Sequence, residues 1–437
     1  MTDFLHELEW RGLLHQTAGE GLDAFLRTPG RAGYAGFDPT ADSLTIGNLI
    51  PITMLTHWQR AGHTPIALMG GGTGLIGDPS GKSAERPALT REQVEANVDA
   101  QRRILERLLD FDDSRPNRAK LVNNIDWLEP IGYIEMLREV GKYFSVNAMI
   151  QRESVAQRLH HRDHGISYTE FSYMILQAYD FLHLARTLDC RVQMGGSDQF
   201  GNILSGIDLI RRLFHAAPSE PEDTELSPAF GITAPLVTRA DGGKIGKSES
   251  GAIWLSADKT SPYRFYQFWL NADDADVVRF LKWFTLLDRA EIESLEQAHL
   301  AAPHQREAHR ALARHMTALI HGETERDRAE AAAKALFSGE VRALDAAMLR
   351  EVAGDVPSSD HARSALEGGG MTLVDLLSQT TLAASKREAR QFLDSGAVSV
   401  NGDRINADRT LTAADLLHGE LILLKRGKKH WHATRWT

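Results

Sequence analysis

The chain has 437 residues, 42% hydrophobic and 25% charged, a balance that fits a folded soluble protein and excludes a fibrous or disordered one. That length exceeds one typical core, so two or three domains are expected. A net charge of −10 speaks against a general nucleic-acid binder. One cysteine, Cys190, excludes an intramolecular disulfide and points to a reducing, cytoplasmic setting. No apolar run of about 18 residues occurs and the N-terminal segment is charged, so neither a membrane span nor a secretory leader is expected. The charge is uneven: residues 371–437 hold ten Lys/Arg against seven Asp/Glu, compatible with a local RNA contact.

Residues 3–27 read as an amphipathic helix that breaks at Pro29-Gly30. Tyr34–Phe37 reads as a strand, and residues 38–43 as turn and cap chemistry. A helix follows, with Ile46, Leu49, Ile50, Leu55 and Trp58 near helical spacing. Its N-terminus favours phosphate, and Gly47 leaves room for a flat ring. Pro51 falls inside that helix, where its ring would crowd the carbonyl of residue 47. Alone, these residues read better as an ordinary strand–helix turn.

Thr64–Met69 is a second strand, running into a glycine-rich loop over residues 70–83. Gly72-x-Gly74-x-x-Gly77 matches a dinucleotide pattern, but Pro79 and Gly81 spoil the helix it requires. Residues 77–83 are one residue short of a P-loop. The loop is better read as bringing Asp78, Lys82 and Arg86 to a site. Residues 90–160 read as mostly helical, with 121–124 a short strand end, and the length before residue 190 suggests an insertion. On the helix 167–189, Tyr173, Gln177 and Asp180 share one face; its other sides are apolar, so the polar face should line a pocket. Arg191–Met194 is a strand, residues 195–202 a polar turn at its carboxyl end, and 203–214 a helix. A strand at 233–237 precedes a basic glycine loop with Lys244 and Lys247, which alone reads as a solvated hairpin. Residues 262–350 are helical, 368–370 a linker, and the tail holds helices at 372–377 and 385–393 and a strand at 397–400 turning at Asn401-Gly402.

Taken together, Tyr34-x-Gly36-Phe37-Asp38-Pro39-Thr40, Gly77-Asp78-Pro79-Ser80-Gly81-Lys82, Tyr173-x₃-Gln177-x₂-Asp180, Gly195-Gly196-Ser197-Asp198-Gln199 and Lys244-Ile245-Gly246-Lys247-Ser248 resemble, in order, the motifs of the tyrosyl-tRNA synthetase family of class I. Residues 385–402 resemble an S4 RNA-binding domain, so the likeness spans essentially the whole chain. It implies an α/β protein. Residues 1–232 would be a Rossmann-like parallel-sheet catalytic domain with an inserted dimerisation and acceptor-stem region at about 125–165. Residues 233–350 would hold the lysine loop and an α-helical anticodon-binding domain, 351–370 a linker, and 371–437 a small α+β S4-like domain.

The resemblance also implies tyrosine activation by ATP with Mg²⁺, transfer to tRNA(Tyr), and a homodimer without a resident protein-bound metal. Carried over, Tyr34 and Asp180 would hold the substrate phenol. Asp78, Tyr173 and Gln177 would hold its ammonium, with Asn123 and Gln199 in support. Gly36, Asp38, Gly47, Asn48, Gly196, Asp198 and Lys247 would contact the adenylate. Thr40, Lys82, Arg86, Lys244, Lys247 and Ser248 would stabilise the phosphates, and Lys386, Arg387 and Arg390 would face RNA. The family's first motif, His-Ile-Gly-His, stands here as Thr45-Ile46-Gly47-Asn48. Thr45 and Asn48 keep candidate catalytic roles; the shorter Thr45 is expected to make a weaker or water-mediated pyrophosphate contact. The alternatives are a tryptophanyl enzyme, a non-catalytic RNA-binding paralogue and a generic nucleotidyltransferase.

Overall fold

The computed structural model describes residues 3–78, 89–152, 155–156, 166–215, 228–238, 240, 242–243, 245, 247–248, 251–427 and 430–437, with backbone alone at 214–215 and 247–248. They fall into two compact units, Met1–Ser256 with Asp273–Ala308, and Ala257–Ala272 with His309–Thr437.

In the first unit, Gln16–Ala18 (β1), Ala32–Phe37 (β2), Thr64–Met69 (β3), Lys120–Asn123 (β4), Cys190–Gly196 (β5) and Phe230–Ala234 (β6) form a sheet in the order β1-β6-β5-β2-β3-β4. Only β1 runs antiparallel to its neighbour. Parallel strands are covered on both faces and read as continuous apolar runs, as Pro65–Met69 do, all buried. Strand order reverses between β2 and β5, so their carboxyl ends open a crevice where α/β sheets take ligands.

Three local features depart from the sequence reading. The helix expected over 3–27 stops at Arg11, because Gly12 turns the chain with φ 71°; β1 and a short helix Leu22–Leu26 follow. The strand expected at 233–237 lies at Phe230–Ala234, and Pro235, which cannot donate to a ladder, follows its end. A 3₁₀ turn covers Ile46–Asn48 and the α-helix starts at Leu49, so Pro51 sits in the first turn, where no intrahelical donor is needed. The expected clash with residue 47 does not arise.

The helix Tyr168–Leu188 is capped by Ser167 and buries Phe181, Leu182, Leu184 and Ala185 against the sheet. Between β4 and this helix, the described residues form short helical pieces at Ile125–Leu128, Tyr133–Glu135, Met136–Val140 and Val146–Ile150. Lys247–Ser248 (β7) and Gly251–Ala252 (β8) pair as a small hairpin. Helices Val277–Phe284 and Arg289–Ala301 also belong to the first unit, which therefore runs past the expected boundary at 232.

The second unit joins the helices Pro262–Leu270, Glu307–His321 from residue 309 onward, Glu323–Ser338 and Ala346–Asp355 to a tail with a mixed, mainly antiparallel sheet. Ser358–His361 (β9), Met371–Thr372 (β10), Val398–Val400 (β11), Asp403–Ile405 (β12), Thr410–Leu411 (β13), Leu421–Arg426 (β14) and His430–Trp436 (β15) make a β12-β11-β14-β15-β9 sheet and a β10–β13 pair. The β11–β12 turn has Asn401 and Gly402 at φ 49° and 90°, the two left-handed positions that an Asn-Gly hairpin supplies. Residues 351–370 are not a free linker: β9 pairs in parallel with β15, and Leu366 joins the core formed by Leu373, Leu377, Leu393, Val398 and Ile422. Among the described residues no helix is long and apolar enough to cross a membrane.

Candidate active site

A cavity of about 520 Å³ opens at the carboxyl ends of β2 and β5, lined by Tyr34, Gly36, Asp38, Thr40, Thr45, Gly47, Asn48, Asp78, Tyr173, Gln177, Asp180, Gly196, Asp198 and Gln199 among others. The sequence motifs meet here because β2, β5 and the helix Tyr168–Leu188 pack around one crevice.

Its deep end holds Tyr34 and Asp180, 1% and 2% exposed. Trp127 Nε1 donates to Asp180 Oδ1 at 2.7 Å and Asn124 Nδ2 to Oδ2 at 2.9 Å. Burial nonetheless dominates and pushes the carboxyl up to about 7. Burial, then the Asp180 charge, hold the Tyr34 phenol well above its ordinary range, so it remains a donor. Tyr34 Oη is buried with no hydrogen-bond partner among the described residues. A buried orphan donor beside a buried acceptor is costly unless something supplies the missing group. A ligand hydroxyl does so, accepting from Tyr34 and donating to Asp180.

Next comes an amide relay. Asn202 Nδ2 donates to Gln177 Oε1 at 2.9 Å, and Gln199 Nε2 donates to Asp78 Oδ2 at 2.9 Å. Gln177 Nε2 and Gln199 Oε1 close the link at 3.3 Å. Tyr173, buried, directs its hydroxyl at Asp38, 3.4 Å from Oδ1, and burial then Asp38 raise its pKa. The turn after β2 is pinned from outside the cavity by Asn97 Nδ2 to Pro39 O at 2.9 Å and Gln101 Nε2 to Ala41 O at 2.9 Å.

The outer part is bare backbone. β2 is buried at every residue except Gly36, and a Cβ there would meet nothing within 4 Å. At Gly47 a Cβ would meet only Thr45 Oγ1, at 3.6 Å. Packing does not demand glycine at either position, whereas a ring lying on the backbone does. Thr45 and Asn48 close on one another: Thr45 N and Oγ1 donate to Asn48 Oδ1 at 2.9 and 3.0 Å. The same segment is bridged to residues 253–255, just after β8, with Ile46 N to Ile253 O at 3.2 Å, Leu255 N to Leu44 O at 2.8 Å, and a Thr45–Trp254 bridge.

Asn123, expected to support the pocket, is not a lining residue. Its Oδ1 accepts from Gly71 N at 3.0 Å and Ile125 N at 3.3 Å, and its neighbour Asn124 faces Asp180 instead. Two adjacent asparagines at a strand end gave no basis for choosing between them. Trp127, Asn97 and Gln101 carried no sequence signal, whereas Asn202 lies three residues from Gln199, a spacing that places them side by side. Lys82, Arg86 and Lys244 lie outside the described residues, and of Lys247 and Ser248 only the backbone of β7 is described. Lys386, Arg387 and Arg390 are exposed on the helix Lys386–Asp394 of the second unit, with Lys386 paired to Asp375 at 2.6 Å.

Residues 31–338 match the family model of class I tRNA synthetases for tryptophan and tyrosine, and residues 349–434 match the C-terminal domain model of tyrosine–tRNA ligases. The tyrosine–tRNA ligase of Roseiflexus castenholzii is 49% identical, with 100% of each chain covered. That of Geobacillus kaustophilus is 50% identical, covering 99% of this chain and 100% of its own. Among solved structures, the C-terminally truncated mitochondrial tyrosyl-tRNA synthetase of Aspergillus nidulans superposes with a TM-score of 0.69 at 32% identity, covering 77% of this chain and 95% of its own. The Coccidioides posadasii counterpart gives 0.66 at 34%, covering 75% and 91%. The chain belongs to the class I tRNA synthetases and, within them, to the tyrosine–tRNA ligases.

Proposed function

We propose that this cleft runs the two-step reaction of that family with the residues in the following roles. L-Tyrosine attacks the α-phosphate of ATP to give tyrosyl-adenylate and pyrophosphate, and the 3′-terminal ribose of tRNA(Tyr) then takes the tyrosyl group. The observation that carries the reading is the buried, unpartnered Tyr34 Oη beside Asp180, a donor–acceptor pair matched to one phenol hydroxyl. An indole offers only a donor, which leaves Tyr34 unsatisfied, so tyrosine is preferred over tryptophan.

Asp78, Tyr173 and Gln177 hold the ammonium, with Gln199 and Asn202 fixing their orientation. Gly36, Gly47 and Gly196 let the nucleotide lie on backbone, and Asp38 and Asp198 meet the adenylate. Thr40, Lys82, Arg86, Lys244, Lys247 and Ser248 stabilise the departing pyrophosphate. No covalent enzyme intermediate is needed, since orientation and preorganised charge supply the rate. Mg²⁺ enters with ATP and neutralises phosphate charge.

Exposed Tyr133, Ile134 and Val146 support the insertion as the homodimer surface. The helical part of the second unit would meet the anticodon and its tail the tRNA backbone, through Lys386, Arg387 and Arg390. A cytoplasmic site of action is part of this reading. The reading is tested by charging of bacterial tRNA(Tyr) with labelled tyrosine. Tyrosyl-tRNA formation supports it, whereas tRNA binding without charging would favour the RNA-binding paralogue.

A further inference from the structure

The departure from the first motif carries a consequence for which atom of that motif can meet a phosphate. Thr45's backbone N–H can only donate, so the Asn48 atom 2.9 Å away must be the amide oxygen, whichever way an isolated asparagine might be turned. That fixes Oδ1 as an acceptor, so the Thr45 hydroxyl, 3.0 Å from the same oxygen, must be the donor there. A hydroxyl has one hydrogen. Committed to Asn48, Thr45 Oγ1 keeps only lone pairs, which repel a phosphate oxygen rather than bind it. Asn48 meanwhile has its oxygen doubly occupied and its Nδ2 turned the other way. Asn48 lines the cavity, and Nδ2 makes no hydrogen bond to a described residue.

We infer that Asn48 Nδ2 is the sole side-chain donor this motif offers to the nucleotide, and that Thr45 is a positioning residue acting through Asn48 rather than a phosphate contact. This replaces the expectation of a weak or water-mediated contact from Thr45. The backbone ties of residues 44–46 to 253–255 hold Thr45 still, so the orientation it imposes is fixed before substrate arrives. The inference rests on the adenylation reading, but the pairing itself does not.

The test is a double-mutant cycle in tyrosine-dependent ATP–pyrophosphate exchange on the full chain, with Thr45→Ala, Thr45→Ser, Asn48→Ala and the pair. Thr45→Ala should lower kcat about fivefold and leave the KM for pyrophosphate within about twofold, the scale of one lost hydrogen bond. Thr45→Ser should restore it. Asn48→Ala should cost more than tenfold, and adding Thr45→Ala to it should change little further. Equal factors for Thr45→Ala in both backgrounds, with a raised pyrophosphate KM, would overturn the inference, as would no effect in either. The pairing is read separately, and independently of activity, from selectively ¹⁵N-labelled asparagine. The Asn48 amide resonances, identified by their loss in Asn48→Ala, should move in Thr45→Ala and return in Thr45→Ser. Unmoved resonances would contradict it even if exchange were absent.

Discussion

Trp127 Nε1 donates to Asp180 Oδ1 across 2.7 Å, from a four-residue helix after β4 to the middle of the helix Tyr168–Leu188. These two are the hydrogen bonds that the buried carboxylate accepts from described residues, the second coming from Asn124. Trp127→Phe keeps the ring and removes the donor. A hydrogen bond to a charged group contributes about 1.5–3 kcal/mol, so tyrosine affinity should fall by roughly ten- to a hundredfold. Equilibrium binding of tyrosine measures this, with ATP affinity expected to stay constant.

The Asp180 carboxyl also makes pH predictions of definite sign. It titrates near 3.8 when solvated and is pushed up to about 7 by burial in the fold. Between those values the folded state binds the extra proton. Stability therefore falls as pH rises from about 4 to 7, and the loss is complete above 7. Asp180→Asn should flatten that slope in urea melts at pH 5 and pH 8.

Tyrosine uses the ionised form as acceptor, so its affinity should rise as pH climbs through 7, with proton release on binding. Calorimetry in two buffers of different ionisation enthalpy reads the proton directly. Uptake, or no proton change, would contradict the assignment.

Two glycines separate function from packing. A Cβ at Gly36 meets open cavity, so Gly36→Ala should leave the melting temperature unchanged or slightly raised while depressing adenylate formation. At Gly70 a Cβ would lie 2.7 Å from both Asp38 Oδ1 and Thr73 Oγ1, so Gly70→Ala should destabilise the fold as well. Thermal melts beside exchange assays distinguish the two.

On the tail helix, Arg387→Glu with Arg390→Glu should raise the KM for tRNA and weaken its salt dependence, leaving pyrophosphate exchange within about twofold. Lys386→Ala should matter less, because Lys386 already pairs with Asp375.

Much of this architecture was legible because parallel strands announce themselves. Thr64–Met69 is a largely apolar run, buried from Pro65 onward, and the strand lies at those residues. The polar stripe of Tyr173, Gln177 and Asp180 was legible because an apolar helix cannot bury such a stripe without a pocket. What escaped depends on tertiary contact. β1 is three residues paired far along the chain to β6, and β9 gains its place only from β15. Trp127 and Asn124 matter solely through Asp180, sequence-distant by 53 and 56 residues. Thr45 and Asn48 read as two lost histidines, and only their mutual hydrogen bonds reveal a pair.

On this reading the Tyr34–Asp180 pair selects a phenol for adenylation. Its most direct test is ATP–pyrophosphate exchange with tyrosine, phenylalanine and tryptophan in parallel, with and without Asp180→Ala. Exchange should occur with tyrosine alone and be lost in the variant while the variant keeps its fold. Exchange driven equally by phenylalanine or tryptophan, or tyrosine exchange that survives Asp180→Ala, would contradict it.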